Sequence, residues 1–313
     1  MPTKIVRMQR LERTPSPRPI VLAIAGDSAS GKTTLARGLV RALGADRCTS
    51  ICVDDYHRFD RAERRELGIT PLHPEANYVD VMEQHLQLLA LGRPILKPVY
   101  DHEHGRLVRP QYLTSRQFLI VEGLLPLTTK LARACFDVAV YLDPDETLRR
   151  TWKVKRDTEQ RGYTAEEVAR ELEVRAQDAA SFITPQRRYA DIVVRFAPTG
   201  DAPAAPLSVD LLLRPTVRHP PLSEVLTDDH RSAIHLTIVR DDGTPIDLLH
   251  VDGNTSLEET RQIEKAIWSS LEQPGDVPSG LGETAPGTRS EPLAITQLIL
   301  FHHLLRESVE ETT

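Results

Sequence analysis

Eight residues constrain this chain more than any others: Gly26-Asp27-Ser28-Ala29-Ser30-Gly31-Lys32-Thr33 satisfies G-x-x-x-x-G-K-[ST] in full. The apolar run Pro19 to Ala25 precedes it, and Thr33 to Leu43 follows with Leu35, Leu39 and Leu43 on one helical face. A strand feeding a glycine-rich turn that opens a helix is the context this pattern needs. The glycines let the backbone wrap phosphates, so successive N–H groups and the helix N-terminus face negative charge. Gly26, Asp27, Ser28, Ala29, Ser30, Gly31, Lys32, Thr33 and Thr34 are therefore expected to bind a nucleotide. Lys32 would reach the β- and γ-phosphates, and the Thr33 hydroxyl can ligate Mg²⁺. The loop alone does not separate a kinase from an ATPase or GTPase; with no Asn-Lys-x-Asp guanine motif and no oligomeric-motor feature, the acceptor-side residues must decide.

Further apolar runs of strand length end in polar residues. Ser50 to Val53 leads into acid, Phe118 to Val121 into Glu122, and Val138 to Leu142 into Asp143, while Asp191 to Phe196 forms a fifth run. Strands of this kind alternating with helical stretches predict an α/β fold, a mostly parallel sheet flanked by helices. The polar residues would then line the carboxyl edge, where ligands of such sheets bind. Beyond residue 200 the expectation is a smaller C-terminal α/β extension. It has strands at Leu207 to Leu213 and Ile234 to Val239, and a turn at Asp241-Asp242-Gly243 into Ile246 to Val251. Helices are expected at Leu257 to Leu271 and Leu293 to Leu305, the latter with one apolar side, and Pro274 to Pro292 reads as a mobile loop. The division expected is a basic leader over 1–18, a kinase-sized domain over 19–200, and an extension over 201–313 that could support self-association.

Composition removes several function classes. With 313 residues, 40% hydrophobic and 27% charged, the chain reads as an ordinary globular protein. A formal net charge of −6 lacks the basic excess of a nucleic-acid binder. No apolar run reaches membrane-spanning length, roughly 18 residues, and no apolar segment suited to secretion follows the basic leader. Three cysteines, Cys48, Cys52 and Cys135, build neither a disulfide framework nor a metal site. They suit the reducing cytoplasm.

Two clusters face the question of what receives the phosphate. Val53-Asp54-Asp55-Tyr56-His57-Arg58-Phe59-Asp60-Arg61 follows the second strand. An aspartate there could take the proton of an attacking hydroxyl, with His57 and Arg61 as donors to a second phosphate; equally, Asp54 could cap a helix. In the second cluster, Lys153, Arg156 and Asp157 lie at i, i+3 and i+4, with Arg161 in the last turn before Gly162. On a helix they share a face. That face suits a lid closing over phosphate, or a solvated charged helix.

Together these residues resemble the phosphoribulokinase branch of the phosphoribulokinase/uridine kinase family, over roughly residues 20 to 200. The resemblance rests on the phosphate loop, Asp54-Asp55-Tyr56-His57, Leu72 to Asp80, Lys97-Pro98-Val99-Tyr100-Asp101-His102 and Val121-Glu122-Gly123-Leu124. It extends to Tyr141-Leu142-Asp143, Trp152 to Thr164 and Pro185-Gln186. It implies ATP and Mg²⁺ as cofactors, transfer to a sugar phosphate with ribulose 5-phosphate foremost, and a homo-oligomer, a dimer being the simplest. A kinase for another pentose phosphate or a nucleoside, or a non-catalytic ATP-binding regulator, are the alternatives. It further implies Asp54 as base, with Lys32, Lys153 and Arg156 as catalytic cations and Thr33 and Glu122 at the metal. His57, Arg61, Arg156, Asp157 and Arg161 would bind the acceptor, with Tyr100 and His102 reaching it from a β-ribbon.

Two departures stand out. Ser30 occupies the phosphate-loop position where plant and cyanobacterial members carry a cysteine, although Cys52 keeps the other cysteine position, so their thiol switch is expected to be absent. Glu75 stands where those enzymes have an arginine, an acid in place of a base near the expected acceptor site.

Overall fold

All seven residues of Ile20–Gly26 are buried, which an apolar strand achieves when helices cover both faces of its sheet. The computed structural model describes residues 18–200, 205–226, 233–271, 276–285 and 287–310. Its strands in chain order are β1 (Ile20–Gly26), β2 (Cys48–Cys52), β3 (Ile95–Asp101), β4 (Arg106–Leu113) and β5 (Phe118–Gly123). They continue with β6 (Val138–Leu142), β7 (Ile192–Pro198), β8 (Leu207–Leu213), β9 (Ile234–Asp241) and β10 (Thr244–Val251). The helices are α1 (Lys32–Leu43), α2 (Arg61–Leu67), α3 (Val79–Ala90), α4 (Lys130–Arg133) and α5 (Glu146–Arg161). After them come α6 (Ala165–Asp178), α7 (Leu222–Val225), α8 (Leu257–Ser269) and α9 (Glu291–Glu310).

One eight-stranded sheet runs β2-β5-β1-β6-β7-β8-β10-β9. The first five strands are mutually parallel and the last three antiparallel. The C-terminal strands thus continue the same ladder, with Ile192 of β7 opposite Leu213 of β8. Alternate side chains feed two cores. Ile20, Leu22 and Ile24 join α1 and α9 on one face, while Val21 joins Met82, Leu86 and Leu89 of α3 on the other. β3 and β4 pair only with each other, as an antiparallel ribbon beside the sheet.

The second strand ends at Cys52 rather than Val53, because Val53–Tyr56 winds into a single 3₁₀ turn. A larger difference concerns α9. It is not one-sided: every residue from 293 to 305 is buried, Thr296, Gln297, His302 and His303 included. A helix buried on all sides belongs inside a core, and α9 fills the space between α1, α8 and the sheet. Gly38 makes this possible, since a side chain there would overlap Gln297. The Gln297 amide oxygen in turn accepts the Gly282 N–H at 2.7 Å.

The described part of the segment expected as a mobile loop is pinned. Glu283 pairs with Arg41 of α1. Arg289 pairs with Glu264 of α8 and donates to the Leu281 carbonyl at 2.8 Å. The expected leader falls almost wholly on residues outside those described. Among the described residues, no helix is long and apolar enough to cross a membrane.

Candidate active site

The carboxyl ends of β1, β2 and β5 open on a cavity of about 1080 Å³. Its floor is the turn between β1 and α1. Gly31 takes φ +97° and Ala29 φ +63°, left-handed conformations that turn the backbone sharply where it must wrap a phosphate. Residues 28–34 line the cavity. Gly26 and Asp27, also expected in the cradle, lie just outside this lining and shape the loop. Their carbonyls accept Lys32 Nζ at 3.0 and 2.7 Å, and the Asp27 carboxylate meets Arg149 at 3.1 Å, away from the cavity.

Thr33 Oγ1 donates to Glu122 at 2.9 Å, joining the helix N-terminus to the tip of β5. Burial pushes the Glu122 carboxyl up; Lys32 opposes this, and Asp54 adds to it. A hydroxyl and a carboxylate side by side are hard oxygen donors that fit Mg²⁺. Among the described residues no cluster of three or more ligands encloses a metal. Mg²⁺ held by one or two side chains and completed by phosphate oxygens and water needs no such cage.

The paired aspartates are not equivalent. Asp55 is engaged: it pairs with buried Lys97 and accepts the Tyr100 N–H at 3.1 Å, clamping the β3–β4 ribbon to the sheet. Asp54 accepts a single backbone N–H, from Leu124 at 2.8 Å, and lines the cavity close to Glu122. Of the two, Asp54 is the one placed to take a proton.

His57 lines the same end, 4% exposed. Burial and the nearby Arg64 charge lower its pKa to about 4, so the ring is neutral near pH 7. Its Nδ1 lies 2.7 Å from Asn77 Oδ1. The Asn77 amide nitrogen donates to the carbonyls of Pro71 and His73, which fixes the amide oxygen as the acceptor. Nδ1 therefore carries the proton and Nε2 is an acceptor. In this state His57 suits a hydroxyl better than the phosphate it was expected to meet.

Arg61 lines the cavity and is held from the ribbon, donating to the His102 carbonyl at 2.7 Å and lying 5.5 Å over the Tyr163 ring. The Tyr100 and His57 rings meet edge to face at 4.7 Å, and Tyr100 and His102 at 5.1 Å. The Tyr100 hydroxyl accepts from Arg64 at 2.8 Å, which fixes the ring and leaves its O–H as a donor.

From the other wall, α5 presents Arg156, Asp157 and Arg161. Burial and the neighbouring Arg156 and Arg61 charges lower the Arg161 pKa. An anion among the three guanidinium groups would relieve that repulsion. Arg156 also donates to Ser28 Oγ at 3.2 Å and so touches the phosphate loop. Lys153 departs from expectation. It is 1% exposed, lies outside the cavity lining, and pairs with Asp157, also 1% exposed. Asp157 in turn holds Arg156 at 2.8 Å and Arg161 at 3.4 Å. Lys153 is thus a buried support rather than a direct contact, and Asp157, which borders the cavity, links it to the two arginines. Glu75 is exposed and outside the lining, so its acid does not face the acceptor end.

Arg64 and Arg149 were missed in the sequence, while Asn77 and Lys97 lie in stretches that carry the resemblance but were given no role. Arg64 had a signal: Asp60 and Glu63 form a capping box that starts α2, and Arg64 then follows Arg61 at i+3, on one face.

A model of the Phosphoribulokinase / Uridine kinase family matches residues 21–203. A phosphoribulokinase of Synechocystis sp. is 39% identical over 182 residues, which take in 58% of this chain and 55% of that protein. The chain thus spans little more than half the length of that relative. A uridine kinase of Brevibacillus brevis is 34% identical over 180 residues, 56% of this chain and 84% of that protein. The phosphoribulokinase structure from Rhodobacter spheroides shares the fold with a TM-score of 0.58 at 20% identity, over 82% of this chain and 99% of that one.

Proposed function

The chain belongs to the phosphoribulokinase/uridine kinase family, and we propose that it transfers the γ-phosphate of ATP to a hydroxyl of a phosphorylated pentose, ribulose 5-phosphate before others. The observation that carries this reading is the trio Arg61, Arg156 and Arg161 around the end of the cavity that holds Asp54 and His57. Arg156 can also meet ATP at the phosphate loop, but Arg61 and Arg161 would be left unmatched by a neutral nucleoside; a sugar phosphate supplies both the anion and the hydroxyl.

In this mechanism Asp54 accepts the proton of the attacking hydroxyl, and His57 Nε2 accepts a hydrogen bond from a sugar hydroxyl, orienting the acceptor. Lys32 and the loop N–H groups stabilise charge on the transferring phosphoryl group. Thr33 and Glu122 would hold Mg²⁺, which would supply positive charge to offset that developing on the phosphates. Arg156 and Arg161 grip the acceptor phosphate from α5. The protein acts in the cytoplasm, a reading supported by its three free thiols. It acts as a homodimer joined through the C-terminal strands, supported by the edge position of β9 with Ile238 exposed.

The test is ADP release from MgATP with a panel of ribulose 5-phosphate, ribose 5-phosphate, fructose 6-phosphate and uridine. Ribulose 5-phosphate should give the highest kcat/KM. A preference for uridine would overturn the reading.

A further inference from the structure

Asp27 poses an electrostatic problem. A carboxylate inside a loop that must receive a polyphosphate repels its own ligand unless something cancels its charge. The structure contains the answer behind the loop, outside the cavity. Arg149 of α5, 9% exposed, places Nη1 3.1 Å from Asp27 Oδ2 and donates from the same nitrogen to the Ser28 carbonyl at 3.1 Å. Its Nε and Nη2 grip both oxygens of Glu146 at 2.7 and 2.9 Å, which holds the guanidinium plane in place, while Arg150 pairs with Glu146 at 2.7 Å and balances that second carboxylate, leaving the Arg149 charge for Asp27. The other Asp27 oxygen accepts the Ser28 N–H at 2.6 Å. The turn that leads into the left-handed Ala29 is therefore fixed from both sides.

We propose that Arg149 is a positioning residue for the nucleotide: it cancels the Asp27 charge and holds the Asp27–Ser28 turn in the shape that accepts ATP. The proposal rests on reading residues 26–33 as the ATP cradle. It also joins two parts of the site. α5 carries Arg149 at the phosphate loop and, about two and three turns further on, Arg156 and Arg161 at the acceptor end.

The experiment is calorimetric titration of MgADP into the full chain and its Arg149→Gln, Arg149→Lys, Asp27→Asn and Asp27→Asn/Arg149→Gln variants, with thermal melts alongside. Arg149→Gln should weaken MgADP binding by about 10-fold, the usual scale for coupling through one charge. Removing the offending carboxylate should then restore it, so that the double variant binds within about threefold of Asp27→Asn alone. Arg149→Lys keeps the charge and loses the fork, and should fall between the wild type and Arg149→Gln. A purely scaffolding arginine would lower the Tm in every Arg149 variant, and Asp27→Asn would rescue nothing. That result, or Arg149→Gln binding like the wild type, overturns the proposal. If Arg149→Gln does not fold, Arg149→Lys with and without Asp27→Asn gives the same comparison. A wild-type chain that binds no MgADP would sink the reading of the cradle itself, a failure distinct from unaffected variants of a chain that binds it.

Discussion

The Leu124 N–H donates to the Asp54 carboxylate at 2.8 Å, across the gap between the tip of β5 and the turn after β2. One hydrogen bond orients that carboxylate and leaves its second oxygen for chemistry, whereas Asp55 is bound to Lys97 and Tyr100. Asp54→Asn should therefore keep MgADP affinity while kcat falls about 10²–10⁴-fold, the scale of a positioned general base. Asp55→Asn should instead loosen the ribbon and raise the acceptor KM. Turnover of Asp54→Asn above about a third of wild type, far outside that scale, removes Asp54 from the mechanism.

Glu122→Gln should trade activity for stability. Because burial pushes the Glu122 carboxyl up, its favourable contribution is complete below the ordinary carboxylate range and is lost as pH rises through the raised value. Near neutral pH the ionised group costs stability, and a neutral amide of the same shape removes that cost. The variant should melt higher than wild type at pH 7–8, with the difference vanishing at about pH 4, where both side chains are neutral. Turnover at limiting Mg²⁺ should drop by about 10-fold or more. A lower Tm at neutral pH would contradict the sign of this effect.

Arg61→Ala and Arg156→Ala should differ. Each withdraws a charge-assisted contact to the acceptor, roughly 1.5–3 kcal/mol or a 10- to 150-fold rise in acceptor KM. Arg61 is held by the ribbon and Tyr163, away from the phosphate loop, so the KM for ATP should hold. Arg156 also reaches Ser28, so ATP binding should weaken as well. Steady-state kinetics with each substrate varied will separate them. Normal use of sugar phosphate by both would place the acceptor elsewhere.

Activity should be indifferent to mild oxidation and to dithiol reduction. Cys48 and Cys52 sit at opposite ends of β2, about 13 Å apart at roughly 3.3 Å per residue, beyond the ~7 Å Cα limit for a disulfide. Burial raises all three thiols: Cys48 to about 11, Cys135 upward, and Cys52 well up with help from Asp54 and Glu122. Thiolate, the reactive form, is scarce. Ser30 offers no sulfur beside Cys52. An activity assay after oxidant and again after dithiol checks this, and a reversible several-fold loss abolished by Cys52→Ser would refute it.

The parallel core was legible because strands covered on both faces are written as unbroken apolar runs; Phe118–Gly123 and Val138–Leu142 are buried throughout. The phosphate loop was legible because its geometry demands particular residues in sequence. What failed was whatever depended on facing. Helical spacing put Lys153 beside Arg156 and Asp157 but could not say that Lys153 points beneath the cavity wall. In α9, buried His302 and His303 look like a polar face and are core. β4, exposed along nearly its whole length, has no alternation to read. Arg149 and Asp27 meet only because α5 packs against the turn after β1, a relation carried by tertiary structure alone.

The burial of α9 bears on how the chain is made. The apolar face of β1 and the inner side of α1, with Gly38 open to receive Gln297, are synthesised early, yet their cover arrives with residues 293–305. Until those residues leave the ribosome, the phosphate loop hangs on a sheet with one wet, adhesive side. A chain stopped ahead of α9 should expose that side and aggregate more readily than the full chain. Native nucleotide binding should thus emerge after translation has passed α9, in a single late step.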